Sequence, residues 1–299
     1  MNTVLAVALT SHLVPDAPTI SPLVWKELRS LPSTDEPEAV SEFAARQLRP
    51  AEAEIVAARL ADMERYRSSL AELESAGIFA LSESDAQYPQ RWIGKLGLRA
   101  PSVLFFSGNS ELLNERSIGI VGSRDVDPAG SEFAFEVSAA AGELGFVVVS
   151  GGARGVDQIA MNSALESSHA SVGILADSLL RATETAQREG LLDFGLCCLC
   201  SPYSPASGFS VGNAMSRNKL IYAGTAATVV VSSSSGSGGT WAGATEALQN
   251  SYCPLIVRSQ PSMPEGNVRL LEMGAHALRN PEDLEHLLGT LESGQGTLF

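Results

Sequence analysis

From residue 117 onward the chain alternates. Short runs of β-branched and other apolar residues, "SIGIV", "FVVVS", "SVGIL", "LCCLC", "ATVVV", "PLIV" and a weaker "AHAL", are separated by helix-length stretches. One of these stretches, 131–144, places Phe133, Val137, Ala140 and Leu144 at amphipathic spacing. Strands without polar alternation must be covered on both faces, and helices between them force parallel pairing with right-handed crossovers. The expected fold is therefore α/β: an extended, Rossmann-like, doubly wound, mostly parallel sheet of about seven strands. Ligands of such sheets sit at the carboxyl ends of the strands, where this chain places its glycine-rich turns.

Residues 1–76 read differently. "PAEAEIVAARLADMERYRSSLAELESAG" keeps Val56, Leu60, Met63, Leu70 and Leu73 near one face of a helix, with Gly77 as its stop. "SLPSTDEP" reads as a loop between helices. The expected organisation is a small helical N-terminal domain, 1–76, followed by the Rossmann-like domain, 77–299. The opening "MNTVLAVALTSHLV" lacks a basic leader and reads as a helix of the mature protein rather than a signal peptide. No apolar run approaches the ~20 residues of a membrane span.

The charge narrows the choice of ligand. The chain has 299 residues, a net charge of −14 and 44% hydrophobic residues, a globular composition. Such an acidic body does not adhere broadly to nucleic acid or anionic membrane. Any anion site must be local. Of the ten Lys and Arg after residue 99, four (Arg124, Arg154, Arg217 and Lys219) fall in candidate turns. The four cysteines are too few and too clustered for a disulfide framework. Cys197, Cys198 and Cys200 read as small hydrophobes of a buried strand, in keeping with a reducing cytoplasm. No metal site is expected.

Four turns carry the candidate chemistry. Gly122, Ser123 and Arg124 close the first Rossmann strand: a glycine for close backbone approach, a hydroxyl, and a planar fork suited to phosphate. Ser150, Gly151, Gly152, Ala153, Arg154 and Gly155 close the second, with backbone N–H groups able to ring an anion at a helix start. "GNAMSRNKLIYAG" places Arg217, Asn218 and Lys219 at the beginning of a helix. "SSSSGSGGTW" supplies Ser237, Gly238, Gly239 and Thr240, with Thr240 as a helix cap. Trp241 and Tyr222 are candidates for base stacking, and each also reads as a core residue. Arg124 and Arg154 are expected to face one cavity, because the first two strands should be neighbours. Neither the dinucleotide fingerprint nor the P-loop spacing is present, and no cofactor is expected.

The order "YP", "PSVLFFSGN", "IGIVGSR", "VVSGGARGVDQIA", "SRNKLIYAG" resembles the DprA/Smf family over roughly residues 77–280. The resemblance implies a bacterial, cytoplasmic, non-catalytic DNA-processing protein of natural transformation and recombination. It further implies a homodimer that binds single-stranded DNA and works with a RecA-type recombinase. The DNA-contacting positions carried over are Ser123, Arg124, the turn Ser150–Gly155, Arg217, Asn218 and Lys219. The chain departs from the pattern at "ILADSLLRAT" and "SPYS" and resembles a divergent member without the C-terminal winged helix. The alternative is a nucleotide sensor, or a phosphoribohydrolase-like enzyme of the Lonely-guy type. "GGT…E" resembles the motif of those enzymes loosely: Gly243 stands where the acid should be and Glu246 lies six residues past Thr240.

Overall fold

The computed structural model describes residues 1–14, 18–31 and 36–295. Nine strands form one sheet: β1 (Phe79–Ser82), β2 (Val103–Gly108), β3 (Ser117–Val121), β4 (Val147–Ser150), β5 (Ser171–Ile174), β6 (Cys197–Ser201), β7 (Ala227–Val230), β8 (Leu255–Arg258) and β9 (His276–Leu278). Their order is β1-β2-β6-β5-β4-β3-β7-β8-β9. All pairs from β6 to β9 are parallel, which is the doubly wound sheet expected from the alternation. The expectation of about seven strands fell short by two. β1 and β2 extend the sheet antiparallel, β2 pairing with β1 on one side and β6 on the other. An antiparallel pair needs no crossover helix, so these strands lie outside the alternation.

Thirteen helices are described. α1 (Thr3–Thr10), α2 (Pro22–Leu28), α3 (Pro37–Gln47), α4 (Pro50–Ala61) and α5 (Met63–Ser75) precede the sheet. α6 (Gln90–Leu96) bridges β1 and β2. α7 (Pro128–Glu143), α8 (Val156–Glu166), α9 (Leu179–Arg188), α10 (Val211–Gly224), α11 (Gly238–Asn250) and α12 (Glu265–Glu272) connect the later strands, and α13 (Leu284–Gln295) follows β9. The helix expected across 50–76 is two helices, broken at Asp62, a residue whose side chain competes for backbone groups inside helices. Four residues of the "SLPSTDEP" segment, 32–35, lie outside the described residues.

Alternate residues of each strand enter opposite layers, as a two-residue repeat dictates. Leu104, Phe106, Cys198 and Cys200 join α6, α10, α11 and α12 in one core. On the other face, Ile118, Ile120, Val148 and Val229 meet α7, α8 and α13. Farther along that same face, Val103, Phe105, Cys197 and Leu199 meet α1–α5 and α9 in a third cluster. The cysteines are free and buried. Burial pushes the Cys197 thiol up to about 11 and the Cys200 thiol up to about 12, so both pack as neutral hydrophobes.

β3 is the pivot of the topology. α7 carries the chain from β3 to its neighbour β4, and α10 carries it from β6 back across to β7 on the other side of β3. The connections diverge at the carboxyl end of β3 and leave a crevice there.

Candidate functional site

Two adjoining cavities occupy this crevice. The first, about 360 Å³, is lined by Gly122–Arg124, Ala153, Asn218 and the start of α11 from Ser237 to Thr240. The second, about 620 Å³, lies toward α8 and α9 and is lined by Arg124, the turn Gly151–Arg154, Arg181 and a group of apolar residues. Arg124, Ala153, Phe209, Ala214 and Arg217 border both.

The lip of the crevice is built by the β3–α7 and β4–α8 turns. Arg124 is exposed, and its guanidinium carbon stands 5.1 Å from the centroid of the Phe209 ring. Among the described residues it makes no ion pair. Arg154 lines the second cavity together with Arg124, and its Nη2 contacts Asp125 Oδ1 at 2.5 Å. Both partners of that pair are well exposed, at 71% and 82% of their side-chain surface. The following Asp127 caps α7, its Oδ1 accepting from Gly130 N at 2.6 Å, and is held by the wholly buried Arg258 at 3.3 Å. This fixes the base of the loop that carries Arg124.

The floor has a different construction. Arg217 is 5% exposed and Asp157 7% exposed. Arg217 donates through Nη1 to the Ile174 carbonyl at the end of β5. Asp157 Oδ2 accepts from Ala153 N at 3.4 Å. Burial raises the Asp157 carboxyl above its ordinary value, against the pull of the Arg217 charge. Burial likewise lowers Arg217, against the pull of Asp157. The two opposite charges offset part of each other's burial penalty, although no ion-pair contact joins them among the described residues. Gly151 is needed for this pair: a Cβ there would lie 2.5 Å from Asp157 Oδ2 and overlap the Arg217 guanidinium. Gly155 is needed for the turn itself, with φ +87° and the backbone carbonyls of Ser123 and Arg124 packed where a Cβ would stand.

Several expected roles change accordingly. Arg217 is not at the beginning of a helix. α10 starts at Val211, capped by Ser210 Oγ accepting from Asn213 N, and Arg217 lies in its second turn facing inward. Lys219 borders neither cavity. It lies 4.0 Å from Glu246, which also receives Arg99 Nη1 at 3.2 Å and the Tyr252 hydroxyl at 3.1 Å. Glu246, the acid of the phosphoribohydrolase alternative, is thus committed to that cluster and likewise borders neither cavity. Ser150 is fully buried and its hydroxyl donates to the Ile120 carbonyl at 2.6 Å, tying β4 to β3 rather than facing the crevice. Gly155 borders neither cavity. The space beside Gly122 is filled by Val156, whose Cγ2 would lie 2.5 Å from a Cβ, so its smallness serves packing against α8. Thr240 is not the cap of α11, whose N-cap is Ser237; its hydroxyl donates to Gly122 O at 3.0 Å and ties α11 to the end of β3. Asn218 Nδ2 donates to Gly239 O at 3.1 Å, a second tie to the same turn.

Tyr222 is 1% exposed and Trp241 packs against the core, so neither is an open stacking surface. The aromatic exposed at the crevice is Phe209, at 54%. Its signal in the sequence was a lone phenylalanine in the polar loop "YSPASGFSVG". Arg181, at the start of α9, is the other cation that the motif reading missed.

The family model of the DNA recombination-mediator protein A matches residues 79–289. The DNA processing protein DprA of Bacillus subtilis is 26% identical over 227 residues, 72% of this chain and 73% of that protein. A Mycobacterium tuberculosis protein described as a DNA processing protein DprA is 29% identical over 197 residues, 64% of this chain and half of that protein. Among solved structures, DNA processing protein A of Streptococcus pneumoniae superimposes with a TM-score of 0.67 at 19% identity, covering 89% of this chain and 90% of its own. The Helicobacter pylori protein, solved for its single-stranded DNA binding mode, gives 0.59 at 23% identity, covering 73% of this chain and 96% of its own. Both share the fold.

Proposed function

Because the chain belongs to the DNA recombination-mediator protein A family of DNA-processing proteins, we propose that it binds single-stranded DNA in the crevice at β3, without catalysing a reaction on it. The observation that carries the reading is Arg124: an exposed arginine at the switch point of the sheet, bordering both cavities and free of any carboxylate among the described residues. Its planar fork matches a phosphate. Arg154 and Arg181 add charge on one side, and the start of α11 adds its positive helix end on the other. The single-stranded DNA bound by the Helicobacter pylori relative supports the choice of ligand.

The wider setting is part of the same proposal: a homodimer in the bacterial cytoplasm that acts in DNA uptake and recombination, with a RecA-type recombinase as partner. Two measurements on one sample test the core of it. A dT oligomer is titrated by fluorescence anisotropy, and the same mixture is followed for released base, nucleotide or shortened strand. Saturable binding with no product is the expected result. Release of free base from nucleoside monophosphates without oligomer binding contradicts it.

A further inference from the structure

The two stretches in which the chain departs from the family pattern are joined in space. "ILADSLLRAT" contains the start of α9, and "SPYS" opens the loop 202–210 that carries Phe209 to the lip. Ser178 N donates to Ser207 O at 2.7 Å and Leu180 N to Pro205 O at 3.0 Å, which ties the first turn of α9 to that loop. Tyr203, whose hydroxyl donates to Asn213 O at 2.9 Å, ties the other end of the loop to α10. Residues 1–76 hold α9 from a second side. Leu179 and Ala186 are buried in the cluster that α1–α5 build. Gln187 Nε2 donates to Ala76 O at 3.2 Å and lies over Gly77, where a Cβ would come within 2.6 Å of it.

The third flank of α9, with Ala182, Thr185 and Glu189, borders the open space of the second cavity. The helix starts without a side-chain cap at Ser178, which stands in the left-handed region at φ +52°, and it is followed by Gly190 at φ +68°. A non-glycine residue in that region is strained and needs its surroundings to hold it. A helix packed on one flank, open on another and strained at its start has both room and reason to shift. We infer that α9 is a regulatory lever, which joins the layer formed by residues 1–76 to the loop at the crevice lip. Anything that loosens or tightens the packing of that layer then changes the lip without touching a bound strand. The effect on strand affinity rests on the single-strand reading above; the lever itself does not.

Two variants of the full chain cut the tie from either end. Gln187→Ala, at an exposed residue that borders neither cavity, removes the bond to Ala76. Gly77→Ala, at φ +77°, displaces the Gln187 amide. Hydrogen exchange of the free protein, followed by mass spectrometry, should be faster at Ser178 and Leu180 and across 203–209 in each variant. Affinity for a dT oligomer should fall about three-fold or more, the scale on which remote substitutions alter the link between sites. Linkage runs both ways, so oligomer bound to the wild-type chain should slow exchange at Gly77 and Ile78, whose amides donate to Glu74 O and Leu73 O. Gln187→Ala should abolish that remote protection and keep the protection of the turn 151–155. Unchanged exchange at Ser178 and Leu180 in both variants, or wild-type protection confined to the crevice turns, overturns the lever and leaves the single-strand reading standing. If no oligomer binds, the single-strand reading fails and exchange in the free variants decides the lever: faster exchange at Ser178 and Leu180 upholds it, and unchanged exchange overturns it.

Discussion

The lip and the floor of the crevice carry similar charges and use them in opposite ways. At the floor, Arg217 and Asp157 are buried side by side, with Gly151 leaving the room they need. At the lip, Arg124 is exposed against Phe209 and Arg154 shares an exposed pair with Asp125. A buried guanidinium that donates to a backbone carbonyl in the field of a buried carboxylate is less free to meet a ligand than an exposed fork, which can exchange water for phosphate. On the proposed single-strand reading, the floor sets the geometry and the lip makes the contact. Lys219, two residues from Arg217 in α10, belongs to neither, because Glu246 holds it on another part of the surface.

The sharpest way to break this distinction is Arg217→Ala. It removes the charge that opposes the burial penalty of Asp157 and the hydrogen bond to the Ile174 carbonyl, and should be read as a fall in melting temperature. An unchanged melting temperature with lost binding would make Arg217 a ligand residue and dissolve the contrast. Arg124→Ala should do the reverse. The melting temperature should hold, since surface changes usually stay within ~0.5 kcal/mol, while affinity for a dT oligomer drops about ten-fold or more with the loss of ~1.5–3 kcal/mol of charge-assisted hydrogen bonding. Arg124→Lys should recover only part, because an ammonium lacks the fork.

A smaller effect tests whether the exposed pair at the lip competes with the ligand. Asp125→Asn frees Arg154, and oligomer affinity should rise about two- to five-fold, in line with the ~0.2–1 kcal/mol of an exposed pair. Reduced affinity would mean that Asp125 orients Arg154 for binding. The smallest effect is expected from Lys219→Ala, for which oligomer affinity should stay within about two-fold of wild type. A ten-fold loss would return Lys219 to the site and require α10 to present it differently.

Much of the scaffold was legible in the sequence because its signals are local. Each of the seven parallel strands is an apolar run of its own, and the glycine turns stand directly after three of them. β1 and β2 were not legible by the same rule, since "FALS" is half exposed and "VLFFSG" pairs antiparallel on both sides, outside the parallel alternation. The site was legible in its turns and illegible in its side-chain directions. "MSRNK" is locally polar, and what buries Arg217 is the Ile174 carbonyl and Asp157, both brought in from other strand ends by the topology. Lys219 faces Glu246 for the same reason: helical phase and α11 decide it, not the five-residue window. Ser150 looks like a phosphate ligand in a string of letters, yet the strand repeat turns its hydroxyl to β3.

In the proposed complex, exposed cations of the lip, Arg124 first, neutralise the phosphates. Salt dependence counts neutralised phosphates directly, with a log–log slope of about −0.7 for each one in a single strand. With Arg124, Arg154 and Arg181 engaged, wild-type dT-oligomer affinity should fall with a slope of roughly −2, and Arg124→Ala should flatten it by about 0.7. Parallel lines for the two proteins, displaced or not, would contradict the claim.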